Sequence, residues 1–295
     1  MHNKIAVIGD IIIDVDKYLK DIGVSLETPN IKGTLTNTYT RIGGAGNIIS
    51  SMNEFGYKPY LFSIVGEDYS DYIFSKLKFT NHVDIIKNSK STIKTRYWSN
   101  NYKLLQVNQD LKVSDQHIKK FLKNTIETIY KKNINKIIIS DYAKIFNSLS
   151  INKFFYEELF KYNKSKDLEL YVDSQYSSSF RNINFYHSSY YLLNLKEFNA
   201  ICNFYNLKKS LSKKVFRKIF INLNIKNKLI VKLGKDGALS FDGKSIFKNK
   251  IKNSKPIRDV SGAGDYFLSA YAIHSSKNEI DRLKIANKFA LKKIL

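Results

Sequence analysis

Residues 259–265 read Asp-Val-Ser-Gly-Ala-Gly-Asp and run directly into the apolar stretch Tyr-Phe-Leu-Ser-Ala-Tyr-Ala-Ile. Small residues at Gly262, Ala263 and Gly264 leave backbone N–H groups open where the apolar run predicts a helix to begin. Such an N-terminus, with its dipole, favours an anion. An acid at Asp265 repels an anion, so the pattern is poor as a plain anion site. It makes sense as a general base, taking a proton from an attacking hydroxyl while the N–H groups hold a phosphoryl group. The competing reading is a glycine-rich turn whose Asp sits favourably in the first helical turn.

Other residue clusters carry two readings each. Gly43-Gly44-Ala45-Gly46 can be only a turn entering a helix, with Asn47 a polar residue in that helix's first turn, and alone it is a weak motif. Asn194-Leu-Lys-Glu197 fits a capping box, with Asn as N-cap and Glu reaching back. Gly234-Lys-Asp-Gly237 before Ala-Leu-Ser-Phe reads as a hairpin turn. Asp10 can simply terminate its strand. Lys94, Arg96 and Lys144 are either surface cations or ligands for phosphate oxygens.

Short β-rich runs position these clusters. Lys4–Ile8, Lys136–Ser140, Leu168–Val172, Tyr190–Leu193 and Lys228–Leu233 each end in a polar or turn residue. Helical patterns near 44–55, 114–131, 148–162, 195–203, 212–223 and 262–275 lie between or after them. This alternation predicts a doubly wound α/β fold, a mostly parallel sheet with helices on both faces. Ligands on such sheets bind at the carboxyl ends of the strands. Residues 15–42 and 91–108 break the alternation, the second as a hairpin turning at Asn100-Asn101, and are expected to form a small β-sheet lid.

The 295 residues include 43% apolar side chains, enough for a sizeable core in a single domain. One cysteine, Cys202, excludes an internal disulfide framework and fits the cytoplasm. No stretch is long and apolar enough for a membrane helix or a secretory leader. The net charge of +23 comes from scattered lysines rather than one basic block, which argues against nucleic acid as the partner. A positive field also helps capture phosphorylated anions.

Asp259-Val-Ser-Gly-Ala-Gly-Asp265 resembles the D-x-x-G-A-G-D signature of ribokinase-like (PfkB) carbohydrate kinases, and the other motifs follow in that family's order. Gly43, Gly44 and Asn47 resemble its N-terminal Gly-Gly motif, whose asparagine touches the sugar, and Asp14 matches the acid that grips sugar hydroxyls. Asn194 and Glu197 match the N-x-x-E motif linked to Mg²⁺ and phosphate. Lys232, Gly234 and Gly237 match the strand and turn beside the nucleotide. The resemblance implies ATP and Mg²⁺, with Asp265 as base, an anion hole at 262–264, Asp259 near the phosphates and Glu197 acting on the metal through water. It also implies a homodimer through the lid strands.

Within the family, Ser140-Asp141-Tyr-Ala-Lys144, Thr92-Ile-Lys94-Thr-Arg96 and Leu193-Asn-Leu-Lys-Glu-Phe198 resemble segments of D-glycero-β-D-manno-heptose 7-phosphate kinases. That branch implies phosphorylation at O1 for nucleotide-activated heptose, with Asp141, Lys94, Arg96 and Lys144 at the substrate. The chain departs from the branch in three places. Gln175 replaces a lysine, Gln106-Val-Asn108 replaces Arg-Leu-Asp, and Ile145 replaces a glycine. The chain also stops inside the family's last helix, so part of the adenine-side wall and the final strand are expected to fall short. The alternatives are a kinase of the same fold acting on another sugar, sugar phosphate or nucleoside, and a non-catalytic sugar-binding or nucleic-acid-binding protein.

Overall fold

Near-continuous apolar runs make strands that are covered on both faces. Residues 4–162, 168–174, 189–251 and 261–295 are described in the computed structural model. Strand β1 (Ile5–Gly9) is buried throughout. Around it, β4 (Tyr60–Gly66), β5 (Thr80–Ile86), β8 (Lys136–Asp141), β9 (Glu169–Ser174), β10 (Tyr190–Asn194) and β11 (Lys228–Lys232) run parallel. The antiparallel strands β12 (Ala238–Phe241) and β13 (Ile246–Asn249) complete the sheet, in the order β13-β12-β11-β10-β9-β8-β1-β4-β5. The chain leaves β1 in one direction for β4 and β5 and later fills the other side from β8 onward. The order therefore reverses between β1 and β8, where an α/β sheet opens its ligand crevice.

Helices α3 (Asp115–Lys131), α4 (Leu149–Tyr162), α5 (Leu195–Phe204) and α6 (Lys213–Asn222) cover one face, through Phe121, Phe155, Phe198 and Phe216. On the other face, α1 (Ala45–Glu54), α2 (Ser70–Lys76), α7 (Ala263–Ile273) and α8 (Glu279–Ile294) pack through Ile48, Ile73, Phe267 and Leu283. The buried positions of α3, at 118, 121, 122, 125, 126 and 129, follow the three-and-four spacing of one helical face. Ser114 caps its start, its hydroxyl accepting from the His117 N–H. The predicted helices lie within two residues of the observed ones at each end.

A separate sheet has the order β3-β2-β6-β7, from β2 (Ile11–Val24), β3 (Ile31–Gly44), β6 (Ile93–Ser99) and β7 (Tyr102–Gln109). It is the expected lid, but it is longer than expected. Strands β2 and β3 pair from Ile11 opposite Gly44 out to Val24 opposite Ile31, so Asp14, Gly43 and Gly44 belong to the lid itself. Asn100 adopts a left-handed φ of 52° at the predicted turn of the β6–β7 hairpin.

Candidate active site

Helix α7 begins at Ala263, and its N-cap Gly262 has φ 80°, a conformation open to glycine at little cost. A side chain at Gly262 would also meet Asn47, 2.9 Å from Nδ2. No side chain caps the helix among the described residues, so its first N–H groups stay open to an anion. Asp265 lies in this first turn and is 6% exposed. Its carboxylate turns toward α1 and the loop after β8: Asn47 Nδ2 donates to Oδ2 at 2.9 Å, and the Tyr142 hydroxyl donates to Oδ1 at 3.3 Å. Burial, helped by Asp173, pushes the Asp265 carboxyl up to about 7 against the opposing pull of the Asn47 bond and Lys232.

A cavity of about 360 Å³ opens in front of this helix. Ten of the residues expected at the site line it together: Asp141, Asn194, Glu197, Lys232, Gly234, Gly237, Gly262, Ala263, Gly264 and Asp265. Asp173, at the end of β9, also lines it; the sequence places it at a strand end without giving it a role at the site. It pairs with Lys232, whose ammonium lies beside Gly264. Burial works against the Lys232 charge, but Asp173 and Glu197 hold its pKa above the ordinary value. Ala290, Leu291 and Ile294 of α8 supply an apolar wall, beside the Asn287 amide.

The capping reading of Asn194 and Glu197 holds. The Asn194 N–H donates to Glu197 Oε2 at 2.7 Å, and the Glu197 N–H donates to Asn194 Oδ1 at 2.9 Å. Glu197 is nevertheless buried against the cavity, where burial and then Asp173 push its carboxyl up to about 7. Asp173, Glu197 and Asp265 all act on the ammonium of Lys232. Among the described residues no three ligating side chains gather as a metal cluster, so a divalent cation here would be held by Glu197 and Asp173 through water. Asp259 lies outside the described residues, as does Gln175.

On the lid side, β2 and β6 run parallel with Asp14 opposite Lys94 and Asp16 opposite Arg96. These four share one face by the two-residue period of a strand. A Cβ on Gly43 would stand 2.3 Å from Asp14 Oδ2, so only glycine leaves room for that carboxylate. Arg96, expected to meet substrate phosphate, ion-pairs with Asp14 (Nη1 to Oδ1, 2.8 Å) and lies 3.9 Å from Asp16. Asp16 also accepts from Trp98 Nε1 at 2.8 Å and pairs with Arg41. Lys144 reaches Asp110 at 2.7 Å. Lys94 has no such acid: among the described residues it forms no ion pair, and its Nζ stands 5.0 Å from the centroid of the Tyr142 ring. Burial pulls the Lys94 pKa down, with Asp14 opposing. The charge-losing departures Gln106 and Asn108 sit directly opposite Arg96 and Lys94.

Asp10 does more than end its strand. Its buried carboxylate accepts the N–H groups of Tyr142, Lys144 and Ile145, which fixes the loop after β8. Asp141 accepts from Ser174 Oγ and from the Ala143 N–H, both at 2.7 Å, and these bonds hold the frame of the site.

The fold is that of a ribokinase-like carbohydrate kinase. The chain belongs to the pfkB family of carbohydrate kinases, whose model matches residues 2–292. Among solved structures it resembles ribokinase from Giardia lamblia, with TM-score 0.75 and 15% identity over 98% of this chain and 91% of that one. Ribokinase from Arabidopsis thaliana, complexed with ribose and ATP, gives TM-score 0.73 and 16% identity over 98% and 92%. A curated relative is the bifunctional protein HldE of Campylobacter jejuni strain RM1221, 24% identical over 95% of this chain and 58% of its own length. Another is a Buchnera aphidicola protein described as an uncharacterized sugar kinase, 25% identical over 91% of this chain and 82% of its own. The chain spans somewhat over half the length of the HldE relatives, 55–58% for the first three.

Proposed function

We propose that the chain transfers the terminal phosphoryl group of ATP to a hydroxyl of a sugar phosphate, with D-glycero-β-D-manno-heptose 7-phosphate, phosphorylated at O1, as the preferred acceptor. The observation that carries the kinase reading is the buried Asp265 carboxylate in the first turn of an uncapped helix beside the cavity. The carboxylate takes the hydroxyl proton, and the open N–H groups of 263–265 receive charge on the phosphoryl group in flight. Lys232 adds a positive charge beside Gly264. When bound, Mg²⁺ neutralises charge on the phosphate oxygens, and Glu197 and Asp173 are the residues that would hold it. Asn47 holds Asp265, while Asp14 is placed by Arg96 and the space at Gly43.

The sugar-phosphate part rests on Lys94, a partly buried lid cation that forms no ion pair among the described residues, together with the likeness to HldE proteins. A second copy pairing through the lid is part of the same reading, supported by exposed Leu35, Tyr39, Leu105 and Val107 on that sheet. The test is an ATP-dependent kinase screen across hexoses, heptoses and their terminal phosphates. Preferential turnover of the heptose 7-phosphate is expected. Equal efficiency on free sugars removes the sugar-phosphate assignment, and no turnover of any sugar removes the kinase.

A further inference from the structure

Tyr142 links Asp265, the lid cation Lys94 and Asp10 without belonging to the glycine motifs or being the base itself. Its hydroxyl donates to Asp265 Oδ1 at 3.3 Å, while Asn47 occupies Oδ2 at 2.9 Å. Its ring carries Lys94 of the lid at 5.0 Å from the centroid. Its backbone N–H is held by Asp10 Oδ2 at 2.8 Å, and the next residue, Ala143, keeps a left-handed φ of 62° with its N–H bound to Asp141. A loop tied at successive residues in a strained conformation is over-determined, and such loops place side chains accurately. The ring packs beside Gly44 where the lid joins α1: a Cβ there would lie 3.5 Å from Tyr142 Cε2.

We propose that Tyr142 is a positioning residue for Asp265: its hydroxyl grips the oxygen that Asn47 leaves free, aims the carboxylate at the acceptor hydroxyl and sets the pH range in which the carboxylate is ionised. The inference rests on Asp265 being the base. Burial holds the Tyr142 phenol protonated well beyond neutral pH, so toward the ionised Asp265 carboxylate it is the donor. A donor favours the ionised carboxylate, in the direction opposite to burial. The other groups facing Asp265 are Asp173 from β9, Lys232 from β11 and Tyr266 on α7, with Lys293 of α8 beside Gly262 and Asp14 and Lys94 beyond the Tyr142 ring. Tyr142→Phe changes none of these and removes one oxygen.

The experiment compares kcat against pH for wild type, Tyr142→Phe and Asp265→Asn with saturating ATP, Mg²⁺ and acceptor. Tyr142→Phe is expected to move the acid limb of kcat upward by about one pH unit, the lower end of what a hydrogen bond to a charged group supplies. Its alkaline plateau should fall severalfold, from the lost aim of the carboxylate, while the melting temperature and KM for ATP stay unchanged. An acid limb that does not move, or a uniform loss at every pH with a lower melting temperature, overturns the proposal, because that is what a packing role gives. If Asp265→Asn is inactive while Tyr142→Phe shows no shift, Tyr142 alone is misassigned. If Asp265→Asn stays active, the base reading fails and takes this one with it.

Discussion

Arg96 and Asp14 meet across two parallel lid strands, with Nη1 2.8 Å from Oδ1 and both side chains largely buried. A carboxylate held this way presents its other oxygen, Oδ2, in a defined direction, into the gap left by Gly43. The cation's work is thus aimed at Asp14, while Lys94, one residue pair along the same face, forms no ion pair among the described residues.

The two cations should therefore fail differently. Lys94→Ala should raise KM for a sugar phosphate by about ten- to a hundredfold, the worth of one charge-assisted contact, and leave the free sugar alone. Arg96→Ala should raise KM for both alike, because it releases Asp14. Steady-state kinetics on a matched pair of phosphorylated and free sugars distinguish them, and a phosphate-selective defect in Arg96→Ala would assign that arginine to the substrate.

Glu197 has two roles that one substitution separates. Glutamine preserves an N3 partner for the capping box, so Glu197→Gln should keep its melting temperature within the small range of a retained cap. Removing the charge should raise the Mg²⁺ concentration needed for half-maximal activity severalfold. Parallel Mg²⁺ titrations and thermal melts check this. An unchanged Mg²⁺ dependence would leave Glu197 with capping alone.

The acid limb of wild-type activity should fall near the pKa of Asp265, about 7, with kcat dropping as pH decreases and the base becomes protonated. The same burial sets a stability trend. In the unfolded chain this Asp loses its proton near 3.9, but the folded protein keeps it until about 7. Between those values the native state binds more protons, so this group's contribution to stability declines as pH rises and levels off above 7. Asp265→Asn removes the decline, so its melting temperature should exceed wild type's at alkaline pH and converge with it in acid.

Much of the fold was legible because its signals are local. The buried positions of α3 recur with helical spacing, and Ser114 and Asn194 announce the starts of their helices as N-caps. The apolar run of β4 and the weaker pattern of β5 were passed over, as was β13, whereas β12 follows the hairpin turn read at Gly234–Gly237. Strand β5 has no fully buried position and alternates only loosely, so its place is decided by pairing with β4. At the site, the glycines before Asp265 pointed to the base. The partners of the charged groups were not legible, because they depend on strand register and on closure over long separations. Arg96 meets Asp14 only because β2 and β6 align in that register. Tyr142 and Asp265 stand 123 residues apart, although the position of Tyr142 just past a strand end was a usable hint.

Arg282 anchors the helix that walls the cavity. It is 2% exposed, its guanidinium lies 3.7 Å from the Tyr271 ring centroid and 4.7 Å from that of Tyr190, and it donates to Tyr171 OH at 2.7 Å. Arg282→Ala should lower unfolding free energy by about 3 kcal/mol or more, from lost desolvated cation–π contacts and hydrogen bonds. Urea denaturation measures this, and a cost below that of an ordinary surface change would mean the ring stack contributes little.

The most direct test of the account is single-turnover phosphoryl transfer by Asp265→Asn with ATP binding measured on the same sample. Asparagine keeps the shape and can still accept from Asn47, but it cannot take a proton. The account predicts unchanged ATP affinity and a transfer rate lower by about 10²–10⁴-fold. A variant that binds ATP normally and transfers phosphate at more than half the wild-type rate would contradict it.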